Sequence, residues 1–139
     1  MFLDASVIIA ILKREPDRAA LLEKVAASPT SLLHSPISRF EAIVGFARAE
    51  SGQHRASTPN RIDNAAAAVD RLLSDLGSEC VPISDSIGTA ALTAAQTYGR
   101  CVGHPAALNL GDCFAYACAK DRRVGLLYKG DDFARTDLG

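Results

Sequence analysis

Apolar residues along this chain follow two alternating rhythms: short unbroken runs, and longer stretches where they return every three or four positions. The runs Phe2-Leu3, Ser31-Leu32-Leu33-His34 and Leu126-Leu127-Tyr128 predict short buried strands, and 80–83 a further strand or an extended connector. Between them lie helical patterns. Ser6 is a candidate cap for a helix through Ala10, Ile11 and Leu12 that breaks at Glu15-Pro16, and Asp17 a cap for 18–27. Ser35-Pro36 leads into a helix at 39–49 with Glu41 in its first turn, and an Ala-rich helix at 62–76 ends at Gly77. A helix at 85–98 follows. Asn109 then caps 110–120, which puts Asp112 at the third helical position. Residues 51–59 read as a loop and 99–107 as a mobile loop. Strands alternating with helices imply an α/β fold, with a parallel sheet and right-handed crossovers.

The chemistry sits where the runs end. Asp4 follows the first run, Glu41 lies beyond the second, Asp131-Asp132 follows the last, and Asp112 opens a helix. In open α/β sheets the ligand crevice lies outside the carboxyl ends of the strands, so these acids can converge although far apart in sequence. Converging like charges need a cation, and oxygen ligands select Mg²⁺ or Mn²⁺. Each acid also has a plainer reading. Glu41 and Asp112 suit the positive end of a helix, Ser6 is either a cap or a hydroxyl that orients Asp4, and Asp131 and Asp132 suit a solvated turn. Asp4 is the least ordinary, because a lone carboxylate flanked by apolar residues is desolvated without return.

At 139 residues, with 48% hydrophobic and 22% charged residues and no low-complexity tract, one domain spanning 1–139 is expected. The net charge of −1 gives no sign of nucleic-acid binding, so such a role needs the basic residues segregated from the acids; Lys13, Arg14, Arg39, Arg48 and Lys129 are the candidates for phosphate contacts. Lys129 reads first as a surface lysine. Cys80, Cys101, Cys113 and Cys118 show no CxxC pair and read as buried free thiols of a reducing compartment. His34, His54 and His104 have no metal spacing. The start lacks a basic n-region and the run 7–12 is too short to cross a bilayer, so a cytoplasmic protein without membrane contact is expected.

Four segments together carry a resemblance: Phe2-Leu3-Asp4-Ala5-Ser6; Ile37-Ser38-Arg39-Phe40-Glu41; Leu108-Asn109-Leu110-Gly111-Asp112-Cys113-Phe114-Ala115-Tyr116-Ala117; and Leu126-Leu127-Tyr128-Lys129-Gly130-Asp131-Asp132-Phe133 with the Ala134-Arg135-Thr136-Asp137-Leu138 that follows. Over essentially its whole length the chain resembles PIN-domain ribonucleases of the VapC toxin type. The resemblance implies a three-layer α/β/α domain and a site of Asp4, Glu41 and Asp112 completed by the Asp131-Asp132 pair, with Asp132 favoured. It also implies Mg²⁺ or Mn²⁺ as cofactor, RNA as substrate, a homodimer, and inhibition by a cognate VapB-like antitoxin. A housekeeping RNA-processing nuclease keeps the same chemistry without the antitoxin. A phosphoacceptor receiver domain fits less well, since it carries an acidic pair after its first strand, and a non-catalytic interaction module is the rival from another class. The apolar surface of the helices at 62–76 and 39–49 exceeds what one sheet face needs, which points to them for the dimer contact.

Overall fold

The computed structural model describes residues 1–51 and 56–139; His54 lies outside them. Four short parallel strands, β1 (Phe2–Leu3), β2 (Leu33–His34), β3 (Glu79–Cys80) and β4 (Leu126–Leu127), form one sheet in the order β3-β2-β1-β4. The connections carry α1 (Ala5–Leu12), α2 (Arg18–Ala26), α3 (Pro36–Ser51), α4 (Pro59–Asp75), α5 (Asp85–Tyr98) and α6 (Leu110–Arg122).

Handedness sorts the helices into layers. The steps from β1 to β2 and from β2 to β3 run the same way across the sheet, so right-handed crossovers put α1–α4 on one face. The return from β3 to β4 runs the other way and puts α5 and α6 on the opposite face. Successive residues of a strand point to opposite faces, so Leu3 packs into the core under α1–α4 while Phe2 packs into the core under α5 and α6. Both are fully buried. The chain is thus the expected α/β/α sandwich around a parallel sheet. Its switch point lies between β1 and β4, and Asp4 and residues 129–132 follow those two strands.

Several helix starts differ from the sequence expectation for local reasons. Asp4, not Ser6, caps α1, its carboxylate accepting the Ser6 N–H at 2.9 Å. Helix α3 begins at Pro36, because proline needs no N–H partner at a first helical position and Ser35 and Ser38 cap reciprocally, Ser38 N–H to Ser35 Oγ at 3.1 Å and Ser35 N–H to Ser38 Oγ at 2.8 Å. Glu41 therefore stands in the second turn rather than the first. Pro59 opens α4 in the same way behind Thr58. Asp17 makes no side-chain cap to α2. Residues 99–107 fold back rather than run as open chain: Gly99 bridges to Leu108, Arg100 N–H donates to Leu108 O at 3.0 Å, and His104 Nδ1 accepts the Ala106 N–H at 3.1 Å.

Cys113 and Cys118 are buried as expected, whereas Cys80 and Cys101 are exposed; all four are free. His34 is buried with Nδ1 2.9 Å from Ser78 Oγ. Helix α4 spends Ala65, Val69 and Leu73 inside the molecule, against α1 and α3. Exposed apolar bulk remains at Ile62 on α4 and Phe40 on α3, and also at Val102 and at Leu92 and Leu110, which line a groove of about 560 Å³ bounded by α5 and the start of α6. Among the described residues no helix is long and apolar enough to cross a membrane.

Candidate active site

Asp4 closes β1 and opens α1. Its Oδ2 accepts both the N–H and the hydroxyl of Ser6, and Ser6 Oγ in turn accepts the Lys129 N–H at 3.0 Å. One hydroxyl thereby ties the end of β1 to the chain leaving β4. Asp4 is 7% exposed, and burial pushes its pKa up against the lowering pull of the Ser6 bonds, with the charge of Asp132 adding to the rise.

Asp112 is the third residue of α6 and shares a capping box with Asn109. Its N–H donates to Asn109 Oδ1 at 3.1 Å, and its own Oδ2 accepts the Asn109 N–H at 2.8 Å. Burial, against the Asn109 bond and with the charges of Asp4 and Asp132, lifts its pKa to about 6; Arg100 pulls the other way. Glu41 comes from α3. Its carboxyl group lies against Gly111, where a Cβ would stand 2.0–2.2 Å from the carboxyl atoms. Burial first, then the charges of Asp4 and Asp112, raise it to about 7.

Asp4 and Asp112 thus act on the ionisation of Glu41, and Asp132 acts on that of Asp4 and Asp112, so the structure brings Asp4, Glu41 and Asp112 near one another with Asp132 beside Asp4 and Asp112. Asp131 is exposed, and its carbonyl accepts the Ala134 N–H at 3.2 Å. The exposed Asp132 leads into a turn anchored by Phe133, which is 2% exposed.

Three of the five basic candidates are engaged elsewhere. Arg39 makes two bonds to Asp70, at 2.6 and 2.7 Å. Lys129 Nζ bonds Glu15 and lies 2.9 Å from Asp17, while Lys13 lies 2.8 Å from Glu15. Arg14 and Arg48 are exposed. The cation that acts on Asp112 is Arg100, which has no ion-pair partner among the described residues. Sequence reasoning missed it inside the 99–107 segment; its place nine residues before Asn109 gave no periodic signal.

The donor set suits a hard divalent cation, being all carboxylate oxygen and held toward its protonated form by burial. Among the described residues no three His, Cys, Asp or Glu side chains stand as a ready-made cage. Asp4 and Asp112 each hold an N–H at their own helix start, and a cation bound there would have to compete with those donors for the carboxylates.

The PIN domain profile matches residues 1–138. A VapC ribonuclease of Rhizobium meliloti (strain 1021) is 43% identical over 140 residues, 99% of each chain. Ribonuclease VapC42 of Mycobacterium tuberculosis (strain ATCC 25618 / H37Rv) is 34% identical over 138 residues, 99% of this chain and 96% of its own. Among solved structures, Mycobacterium tuberculosis VapC20, described as a sarcin-ricin loop cleaving toxin, superposes with a TM-score of 0.69 at 14% identity over 96% of this chain and 92% of its own. A toxin–antitoxin complex from Klebsiella pneumoniae gives 0.66 at 19% identity, over 99% and 92%. The structural likenesses carry the fold, and the sequence matches carry membership: this chain belongs to the PIN-domain family, in its VapC ribonuclease branch.

Proposed function

We propose that this protein is an endoribonuclease dependent on Mg²⁺, with Mn²⁺ able to substitute, and the toxin of a toxin–antitoxin pair. The observation that carries the reading is a group of acids buried near one another, in a chain of the VapC branch: burial first, then the charges of Asp4 and Asp112, raises Glu41 to about 7, and burial first, then the charges of Asp4 and Asp132, raises Asp112 to about 6. Asp4, Glu41 and Asp112 would hold the cation, with Asp132 beside them. A divalent cation so held would lower the pKa of a bound water and offset charge developing on phosphate oxygens. The chain's own part is placement. Ser6 orients Asp4, the Asn109 cap orients Asp112, and Arg100 supplies positive charge at the rim where the acids alone would repel RNA.

The test is cleavage of RNA by stringently purified protein with Mg²⁺ or Mn²⁺ and with chelator. Activity should vanish with chelator and in Asp112→Asn, whose amide keeps the shape and loses the charge. Chelator-resistant cleavage, or full activity of the variant, would refute the reading.

The VapC relatives support a VapB-like antitoxin as partner, and an acid-lined cleft invites an Arg or Lys from it. Antitoxin titrated against wild type and Asp112→Asn should bind the variant more weakly, with a salt-dependent difference. A homodimer would cover Leu92, Val102 and Leu110, which are 60%, 55% and 70% exposed. Leu92→Glu should then give a monomer in sedimentation.

A further inference from the structure

The sequence offers Lys129 as a phosphate contact or a surface lysine, and its surroundings point to neither. Its ammonium is held between Glu15 and Asp17, at 2.9 Å from the latter, across a separation of 112 residues. Both acids sit in the link between α1 and α2, and Glu15 also receives Lys13 at 2.8 Å. The backbone of the same lysine works in the other direction, its N–H reaching Ser6 Oγ at 3.0 Å. One residue thus joins the α1–α2 link, the hydroxyl that orients Asp4, and the turn that carries Asp132.

That turn needs an anchor. Gly130 follows with φ of 101°, a conformation closed to most side chains, so the backbone between Lys129 and Asp132 is intrinsically free to choose others. At the far end Phe133 is buried against Tyr128, ring centroids 5.1 Å apart. At the near end the fixed point is Lys129. Without the hold of its side chain, the residue-129 N–H is free to leave the Ser6 hydroxyl, and Asp132 swings on a glycine hinge.

The geometry points to Lys129 as a positioning residue: held by Glu15 and Asp17, it fixes the 129–132 turn so that Asp132 faces Asp4 and Asp112 and so that Ser6 keeps Asp4 aligned. This rests on the ribonuclease reading for its kinetic consequence only. The structural consequence stands apart, because the Lys129 N–H is itself the reporter.

Amide hydrogen exchange and RNA cleavage are compared in wild type, Lys129→Met, Lys129→Arg, the pair Glu15→Gln/Asp17→Asn, and Lys13→Met. Lys129→Met and the Glu15/Asp17 pair should each lose protection at the amide of residue 129 while α6 keeps its own. Both should lower kcat about 10- to 100-fold with KM little changed, the scale of a misplacement near 1 Å. Lys129→Arg should restore both properties, and Lys13→Met, which removes the same charge from Glu15 without touching the turn, should change neither. A phosphate-binding lysine behaves otherwise: Lys129→Met raises KM, and the Glu15/Asp17 pair, by releasing the lysine, lowers it or leaves it alone. That pattern, or unchanged protection at residue 129 in both variants, overturns the proposal. If wild type cleaves no RNA, the ribonuclease reading falls, and the exchange result still decides whether Lys129 positions the turn.

Discussion

Glu41 depends on what Gly111 lacks. A Cβ at residue 111 would come within 2.0–2.2 Å of the Glu41 carboxyl atoms, so glycine at this position makes room for the acid of another helix. The clash is with the far end of a flexible side chain, which can swing away, whereas the helix gains about 1 kcal/mol of propensity when glycine becomes alanine. Gly111→Ala should therefore melt no lower than wild type yet bind Mn²⁺ more weakly and lose RNA cleavage; calorimetric titration beside a melting curve separates the two effects. A lower melting temperature with intact metal affinity would mean that Glu41 has no part in holding the ion. The same logic explains why Asp4 and Asp112 are bonded as they are. Each spends its Oδ2 on local N–H or O–H donors that hold the carboxylate in place, against burial that favours the protonated form.

At the level of elements, the capping box of α6 joins stability to site geometry, because the residue that satisfies the Asn109 N–H is Asp112 itself. Asn109→Ala removes one side of that exchange and should cost about 1 kcal/mol in denaturant unfolding. It should also lower cleavage by more than the lost stability explains, since Asp112 loses the reciprocal bond that sets it. Activity unchanged at saturating Mg²⁺ would confine Asn109 to helix stability. This box was legible in the sequence, since asparagine followed three residues on by aspartate ahead of an apolar stretch is a local signal. The start of α3 was harder to place. Ser35-Pro36 reads equally as an approach or as a helix start, and only the pairing of Ser35 with Ser38 decides for the latter and moves Glu41 one turn inward. Arg100 and the Lys129 bridge were not legible at all. Each acquires its meaning from partners distant in sequence, Lys129 from Asp17 at a separation of 112 and Arg100 from a turn pinned to Leu108. Patterns of period 2 or 3.6 report what is near along the chain, and the acids were readable because they follow strand ends, where topology fixes their meeting place.

Over the whole molecule the acids turn metal-free folding into a function of pH whose sign can be worked out. Folded Glu41 titrates near 7 against an ordinary 4.5, and Asp112 near 6 against 3.8. Below the ordinary values both states hold their protons and the acids cost nothing. As pH rises to about 7 the unfolded chain releases protons first, so stability falls through that window and levels above it. His34 works against this trend in part of the same range. Burial, with Arg39 adding, holds its pKa below 6.5, so it gives stability at higher pH that is lost as pH falls. The exposed pairs that lower Asp70, Asp137 and Glu15 act in a lower window, where those groups protonate. A melting curve of wild type alone therefore mixes opposing slopes. The difference between wild type and Glu41→Gln/Asp112→Asn isolates the acids, because His34 is common to both. That difference should favour the variant, and the advantage should grow from pH 5 to pH 7.5 in chelator. Mg²⁺ or Mn²⁺ should cancel it by stabilising wild type, more at pH 7.5 than at pH 5, since a cation binds the ionised carboxylates and competes with protons for them. Equal pH dependence in the two proteins, with no cation effect on either, would mean that Glu41 and Asp112 neither strain the fold nor hold a metal.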